Sequence, residues 1–173
     1  METLECIKTR RSIRSYRSDP VSNDAIKKIL EAAIHAPSSG NVQDWEFVIV
    51  TDPDIKKNLY EASYNQEFVL QAPMIIVVCS DLRRVENAYG MRGVELYSIQ
   101  NTAAAIQNLM LAAWDLGIGS CWIGAFNESK VKNILGLPEY VRPMALITLG
   151  YPAETPQKPN RWNLERFIHW ERW

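Results

Sequence analysis

The stretch Ala36-Pro37-Ser38-Ser39-Gly40-Asn41-Val42-Gln43-Asp44-Trp45 separates two apolar segments and decides how the rest of the chain is interpreted. Pro, Ser, Gly and Asn are common turn-forming residues, so this stretch predicts a loop. The aromatic and β-branched residues that follow predict a strand over residues 45–51. Such a loop offers backbone, amide and hydroxyl groups just before a strand, and these groups suit a planar ligand with polar edges.

A second polar segment lies upstream, at Arg10-Arg11-Ser12-Ile13-Arg14-Ser15-Tyr16. It carries three guanidinium groups and a hydroxyl within five residues. Arg suits a phosphate because its planar donor fork matches oxygen geometry and because it stays charged at any working pH. Each segment alone is also compatible with an ordinary solvated turn or loop. Together they predict a site for a phosphorylated aromatic ligand.

Composition bounds the class of protein. The chain has 173 residues, enough for one domain with a single core, and its 47% apolar and 23% charged residues are ordinary for a globular protein. A net charge of −1 without a long Lys/Arg run argues against nucleic acid as a partner. No window approaches the ~20 apolar residues of a bilayer span, and no signal-peptide pattern is present, so we expect a cytoplasmic protein without a membrane partner.

Residues that carry hydrolytic or metal chemistry are sparse. Cys6, Cys79 and Cys121 are widely spaced, which predicts reduced thiols, and we favour packing for Cys121 although it could lie near a ligand. The pair Gly117-x-Gly119 lacks the third Gly of a dinucleotide fingerprint, and no phosphate-loop motif exists. Neither histidine has a nucleophile beside it, and the carboxylates are scattered. We therefore expect no metal site and no catalytic residue from the chain itself.

Hydrophobic periodicity predicts alternating helices and strands. Helices are expected over residues 23–35, 54–62, 97–116 and 128–135, and strands over residues 45–51, 74–80, 119–125 and 144–151. The apolar run 74–80 is typical of a strand covered on both faces, and strand 45–51 is expected beside it at the centre of the sheet. Ile34 and Ile99 fall on the apolar faces of their helices and are expected to be buried. The fold class is therefore α/β.

The C-terminal segment is Pro-rich at first and then aromatic, with Trp162, Phe167, Trp170 and Trp173 near its end. Trp and Arg are favoured at buried interfaces, and a free tail with this much aromatic area would be prone to association. We therefore expect a homodimer that residues 152–173 complete.

The order of these segments resembles the nitroreductase family of FMN-dependent oxidoreductases. In that family RRSxRxY, PSxxNxQxW and a C-terminal basic segment surround FMN, and their counterparts here are Arg10–Tyr16, Pro37–Trp45 and Lys158–Arg161. The resemblance also includes Gln71–Pro73, Ala104–Ala113, Leu116–Ser120, Trp122–Gly124 and Leu149–Pro152. It implies one FMN-binding domain over residues 1–173, an α/β (α+β) fold with a mixed central sheet flanked by helices, and a C-terminal extension that reaches the partner subunit.

The resemblance also implies which residues meet the cofactor. The FMN phosphate and ribityl chain would be held by Arg10, Ser12, Arg14 and Arg161, with Arg11 and Lys158 as further candidates. The ribityl chain or the ring edge would meet Pro37, Ser38, Ser39, Asn41 and Gln43, and the ring would lie against Ile123 and Gly124. The family's site lies at the dimer interface, so one subunit would hold only part of it.

The implied activity is transfer of a hydride or electrons from NADH or NADPH through FMN to a small acceptor such as a nitroaromatic, a quinone or a flavin, with the flavin as the reactive group. Two alternatives remain: a flavin-binding or flavin-sequestering protein without turnover, and a specialised branch such as a dehalogenase or a flavin-fragmenting enzyme. The stretch Asp81–Leu96, where family members often cover the substrate, is short, and Arg83 and Arg84 within it have no predicted role. The acceptor and the choice between NADH and NADPH stay open.

Overall fold

Four strands form one sheet, and helices lie on both of its faces. The computed structural model of the protein describes residues 1–173. The strands are β1 (Trp45–Val50), β2 (Met74–Asp81), β3 (Gly119–Ile123) and β4 (Val141–Gly150). The α-helices are α1 (Thr3–Thr9), α2 (Asn23–Ile34), α3 (Pro53–Ala62), α4 (Phe68–Gln71), α5 (Leu82–Arg92), α6 (Ser98–Asp115) and α7 (Glu128–Leu135). Short 3₁₀ turns span Ser39–Asn41 and Leu164–Phe167, and a π-helical turn spans Gly93–Tyr97.

The strand order is β1-β2-β4-β3, and each neighbouring pair is antiparallel. The mixed sheet that the resemblance implies is limited to one isolated parallel bridge, between Ser12 and Ser120 of β3. The prediction for β2 is confirmed, since all of its residues are buried. The central position expected for β1 is wrong, because β2 pairs with β4 on its other side and leaves β1 at the edge. Ile49 of β1 is accordingly 45% exposed.

The predicted helices begin where their capping residues indicate. The Ser22 hydroxyl accepts a hydrogen bond from the N–H of Ala25 at the start of α2. Asp52 accepts from the N–H groups of Asp54 and Ile55, both at 2.9 Å, at the start of α3. Asn127 caps α7 through the N–H of Lys130 at 2.9 Å. Each cap is worth about 1 kcal/mol, because it satisfies an N–H group that the helix itself leaves free.

The sheet has a separate apolar layer on each face. Helices α2 and α6 cover one face, where Ile29, Ile106 and Leu109 pack with alternate residues of β2 and β4. Helices α3 and α7 cover the other face. Two predicted core positions are wrong, since Ile34 and Ile99 are each 48% exposed. Ile34 is the last residue of α2, and Ile99 is the second residue of α6.

Several segments have structure that the sequence did not predict. Residues 82–97 form α5 and the π-helical turn, and α1 and α4 are also additional helices. Residues 153–173 are nearly all exposed, and Trp170 and Trp173 are 83% and 101% exposed. No helix has both the length and the apolar character that crossing a membrane requires.

Candidate functional site

Residues from the two ends of the chain enclose a cationic cavity of about 310 Å³. We call it the arginine pocket, and its lining consists of Arg10, Arg11, Ser12, Arg14, Pro156, Gln157, Pro159 and Arg161. It contains five of the six residues that were predicted to hold the phosphate. The arginines of the first segment and the C-terminal Arg161 therefore converge, although they are far apart in sequence.

The pocket is held in place by the edge of the sheet. The N–H of Ile13 donates to the carbonyl of Ser120 in β3 at 2.9 Å, so the arginine segment lies beside that strand. The start of the tail is fixed against the same segment, because the N–H of Ala153 donates to the carbonyl of Ser15 at 2.9 Å. The Glu154 carboxylate accepts from the N–H groups of Arg14 and Ser15. These contacts bring residues 156–161 opposite Arg10.

Arg10 lacks a counterion. Its Nη1 atom is buried and has no hydrogen-bond partner. Burial lowers the pKa of the Arg10 guanidinium, and the charges of Arg11 and Arg161 lower it further. A buried polar atom without a partner costs about 1–3 kcal/mol, and more when the group is charged. The chemistry of this pocket therefore fits an anion with several oxygen atoms, such as a phosphate.

The other arginines of the pocket are also free of carboxylates. Arg11 donates from Nη1 to the carbonyls of Lys8 and Arg10, at 2.9 and 2.7 Å. None of Arg10, Arg11, Arg14 and Arg161 forms a salt bridge, whereas Arg83, Arg84 and Arg142 each do. The positive charge of the pocket is therefore available to a ligand.

Lys158 lines a second cavity next to the arginine pocket. This cavity also measures about 310 Å³ and shares Arg11, Pro159 and Arg161 with the first. Its lining adds Lys8, a residue that the sequence analysis did not include. Lys8 lies in the last turn of α1, and Arg11, beyond the end of that helix, donates to its carbonyl at 2.9 Å. Lys158 and Arg161 line this cavity together, although Pro159 and Asn160 stand between them in the sequence.

The second predicted segment, Pro37–Gln43, forms a turn that we call the amide loop. Three of its residues have left-handed backbones, with φ of 51° at Gly40, 57° at Asn41 and 52° at Gln43. For the two that are not glycine this conformation costs about 1–2 kcal/mol each. Inside the loop, the N–H of Gln43 donates to the Ser38 hydroxyl at 3.1 Å. The side chains of Asn41 and Gln43 remain exposed.

A buried polar network fixes the base of the amide loop. The side chain of Asn101, in α6, accepts from the N–H of Ser39 at 2.9 Å and donates to the Asp44 carboxylate at 2.6 Å. The Ser80 hydroxyl donates to the same carboxylate. Asp44 and Ser80 are fully buried, and Asn101 is 4% exposed. Sequence reasoning missed all three, because nothing local marks Asn101 and Ser80 as partners of this loop.

The two arginines that had no predicted role lie next to the amide loop. Arg84 donates to the carbonyl of Gln43 at 2.8 Å and to the Glu46 carboxylate at 2.5 Å. Arg83 instead pairs with Asp81 and lies over the Tyr140 ring, 3.2 Å from its centroid. The Arg83 guanidinium lowers the pKa of the Asp81 carboxyl.

Helix α5 also contacts the amide loop directly. A Cβ added at Gly40, where φ is 51°, would lie 2.1 Å from the Tyr89 hydroxyl oxygen, so a larger residue would have to displace the end of the Tyr89 side chain. The short stretch Asp81–Leu96 thus contains a helix that packs on the loop.

Ile123 and Gly124 lie at the end of β3. The Ile123 side chain is 2% exposed and packs in the core, so its backbone is the part that can face a ligand. Gly124 is exposed. Cys121 precedes them and is 2% exposed. Burial raises the pKa of the Cys121 thiol, which agrees with a packing role.

The largest cavity lies elsewhere. It measures about 680 Å³ and lies between α2 and the edge of β1, and we call it the α2–β1 groove. Ile26, Leu30, Ile34 and Ile49 line it, and it contains none of the predicted site residues. An apolar groove with one lysine and one glutamate is a poor match for a phosphorylated ligand, so the arginine pocket is the better candidate site.

The sequence and the structure of the chain are both similar to those of known oxidoreductases. The sequence pattern of the nitroreductase family matches residues 7–151. An NADH dehydrogenase of Thermus thermophilus is 36% identical, over 93% of this chain and 92% of its own length. The FMN reductase [NAD(P)H] of Bacillus subtilis is 32% identical, over 98% of this chain and 74% of its own. Among solved structures, the NADPH:FMN oxidoreductase from Vibrio harveyi, complexed with NAD⁺, matches with a TM-score of 0.91 at 28% identity, over 99% of this chain and 77% of that chain.

Proposed function

The chain belongs to the nitroreductase family, and from this membership we propose that it is an FMN-dependent oxidoreductase that uses NADH or NADPH as electron donor. When bound, FMN would accept a hydride from the pyridine nucleotide and pass electrons to a small acceptor such as a nitroaromatic, a quinone or a flavin. The protein's own task is to bind the cofactor, to orient it and to provide the electrostatic environment of the ring. No acid, base or nucleophile from the chain is required.

The observation that carries this proposal is the buried Nη1 of Arg10, which has no partner in the protein. A phosphate monoester would supply the missing acceptor, and its charge of about −1.5 to −2 would balance the arginines around it. Arg10, Arg14 and Arg161 would contact the phosphate or the ribityl chain, and the Ser12 hydroxyl would donate to it. Arg11 and Lys158 would add charge from the neighbouring cavity.

The amide loop would face the polar edge of the isoalloxazine ring. Asn41 and Gln43 have exposed side-chain amides on a backbone that is held from beneath by Asn101. Donors fixed in this way stabilise negative charge without having to reorganise when it develops. The backbones of Ile123 and Gly124, together with Pro37, Ser38 and Ser39, would complete the contacts with the ring and the ribityl chain.

The tail supports a dimer. Residues 152–173 contain five large apolar side chains that are at least 64% exposed: Trp162, Leu164, Phe167, Trp170 and Trp173. Apolar area of this extent is normally covered in solution. The α2–β1 groove is a second exposed apolar surface. We propose a homodimer in which the tail packs on the partner subunit and the FMN sites lie at the interface.

We also propose that the protein is cytoplasmic. The three cysteines are all free and buried, as is usual where thiols stay reduced. We propose neither a membrane nor a nucleic-acid partner, since the net charge is only −1.

Anaerobic reduction tests the function. Protein reconstituted with FMN would be mixed with NADH or with NADPH in a stopped-flow instrument, and the flavin absorbance would be recorded. We expect bleaching by at least one donor, followed by recovery of the absorbance when a quinone or nitroaromatic is added. A yellow protein that neither donor bleaches would support the sequestering alternative, and a protein that takes up no FMN would contradict both functions.

A further inference from the structure

We infer that Arg84 is a positioning residue of the cofactor site: its guanidinium holds the carbonyl of Gln43 and thereby fixes the backbone on which the amide loop presents its donors. This inference rests on the proposed function, because it takes the amide loop to be the part of the protein that meets the flavin. Arg84 itself makes no contact with the arginine pocket.

The geometry shows how the guanidinium is used. Nη1 donates to the carbonyl of Gln43 at 2.8 Å, and Nη2 donates to the Glu46 carboxylate at 2.5 Å. Nε lies 3.7 Å from the Asp81 carboxylate. The three nitrogen atoms of one planar group therefore face three different residues. Arg84 ties α5 to the point where the amide loop enters β1.

Gln43 is the residue that needs such a contact. Its φ of 52° is unfavourable for a residue with a Cβ. The Ser38 hydroxyl accepts from its N–H at 3.1 Å. Arg84 binds its carbonyl, so both polar groups of its backbone have a partner only while the left-handed conformation is kept. Without Arg84 the carbonyl of Gln43 loses this hydrogen bond, and the left-handed conformation of Gln43 loses one of the two contacts that hold it.

A lysine at position 84 would not hold the Gln43 carbonyl and the Glu46 carboxylate together as Arg84 does. Lysine can form a salt bridge with Glu46, but its ammonium group is compact and lacks the planar fork that reaches two acceptors in fixed directions. The role that we assign to Arg84 therefore depends on the shape of the guanidinium as well as on its charge.

The neighbouring residue provides a matched control. Arg83 lies on the same helical turn, carries the same charge and pairs with the same Asp81, with Nη2 2.9 Å from the carboxylate. Its guanidinium covers the Tyr140 ring and makes no hydrogen bond with the amide loop. Arg83→Met and Arg84→Met thus remove equal charge from adjacent positions, and only the second releases Gln43.

The experiment compares the wild type with Arg84→Met, Arg84→Lys and Arg83→Met. The apoproteins would be titrated with FMN, and the dissociation constant and the midpoint potential of the bound flavin would be measured, together with the melting temperature of each apoprotein. We expect Arg84→Met to weaken FMN binding about tenfold, as for loss of one charged hydrogen bond that partly faces water, and to shift the midpoint potential. Arg83→Met should match the wild type in both. The FMN affinity of Arg84→Lys should lie between those of the wild type and Arg84→Met. If Arg84→Met does not fold, Arg84→Lys replaces it in the comparison with Arg83→Met.

Millimolar guanidinium provides a readout that a purely structural role would not show. We expect it to restore FMN affinity to the truncated variant Arg84→Ala, because the free cation can occupy the space that the shortened side chain leaves, and to leave the wild type unchanged. Equal FMN affinity and potential in Arg84→Met and the wild type, or equal losses in Arg84→Met and Arg83→Met, would overturn the inference. A wild type that binds no FMN would instead overturn the proposed function.

Discussion

Gly119 lies directly opposite Gly150 in the ladder between β3 and β4. A Cβ at Gly119 would lie 2.6 Å from Cγ1 of Ile13, and a Cβ at Gly150 would lie 2.5 Å from Cδ of Pro73 and 2.9 Å from Cδ1 of Tyr16. Neither glycine has a left-handed φ, so what each provides is space. This pair of glycines lets the segment that carries the arginines pack directly on the sheet, and the arginine pocket depends on that contact.

Gly150→Ala should therefore loosen the arginine segment. The added methyl group overlaps with Pro73 and Tyr16, and overpacking of this kind costs about 1–3 kcal/mol. We expect a lower melting temperature and weaker retention of FMN, measured by thermal unfolding and by the flavin content after dialysis. Gly124→Ala is the control for stability, because the closest atom to its Cβ would be 3.8 Å away. Equal melting temperatures for the two variants would contradict the account of the glycine pair.

Asn101→Asp should destabilise the protein in a pH-dependent way. The new carboxylate would face that of Asp44 at about the 2.6 Å that now separates amide from carboxylate. Two buried negative charges at this distance repel, so folding of the variant must take up a proton, and we expect a loss of about 3 kcal/mol near neutral pH. The loss should shrink as the pH falls, since protons then favour the folded form. Urea unfolding of the variant and the wild type, at several pH values from neutral to about 4, measures this loss of stability.

Asn101→Ala is the control for that experiment. It removes the hydrogen bonds to Ser39 and Asp44 but adds no charge. Its loss of stability should change less with pH than that of Asn101→Asp, and parallel pH profiles for the two variants would argue against a close approach of residue 101 to Asp44.

The Glu128–Arg142 pair should stabilise the protein only above acidic pH. Two hydrogen bonds at 2.9 and 2.8 Å join them, and the Arg142 guanidinium holds the pKa of Glu128 below its ordinary 4.5. A carboxyl whose pKa is lower in the folded state contributes stability above its unfolded pKa, and this stability is lost as the pH falls through the folded pKa. Both side chains are more than one third exposed, so we expect Glu128→Gln to cost at most about 1 kcal/mol at neutral pH and less near pH 3. Chemical denaturation at both pH values checks this, and a pH-independent difference would refute it.

Trp170→Ala combined with Trp173→Ala should weaken the homodimer that we propose. These side chains are 83% and 101% exposed in one chain, so their removal should leave the fold of the subunit intact. Interface tryptophans often contribute 2 kcal/mol or more each, so we expect the dissociation constant to rise by about 100-fold or more. Sedimentation over a dilution series measures it, with Tyr64→Asn as an exposed aromatic control. If the double variant dimerises as tightly as the wild type, the two tryptophans do not contribute to the dimer interface.

Local signals in the sequence predicted most of the elements and part of the site. The caps at Ser22, Asp52 and Asn127 use side chains within a few residues of the groups they bind, so their effect is visible in the sequence. The buried run of β2 is equally local. The convergence of Arg10 and Arg161 was not visible from either segment alone and came from the resemblance to a family.

What the sequence did not show depends on distant partners. The edge position of β1 follows from the strand order, which no property of residues 45–50 determines. The Asn101–Asp44 hydrogen bond joins residues 57 positions apart, and a single Asn in a helix has no feature that identifies its partner. Arg84 is a charged residue on an exposed helix, where a solvated side chain is the usual expectation. Its contact with Gln43 becomes visible only in three dimensions.

The stability of the Arg10→Met apoprotein provides a further test of the arginine pocket. It removes a guanidinium whose Nη1 atom is buried without a partner in the protein, so the apoprotein should become more stable by about 1 kcal/mol or remain unchanged. Arg17→Met is the control, because Arg17 is exposed, lies over the Tyr151 ring and pairs with Asp19. A marked destabilisation by Arg10→Met would mean that the guanidinium has a structural partner after all.

The most direct test of the central claim compares the binding of FMN and of riboflavin, which lacks the phosphate, to the wild type and to Arg10→Met. If the pocket holds the phosphate, the wild type should prefer FMN by about 100-fold or more, and Arg10→Met should lose at least about tenfold of that preference while its riboflavin affinity stays the same. Equal affinity of the wild type for the two flavins, or an FMN preference that Arg10→Met leaves unchanged, would contradict the account.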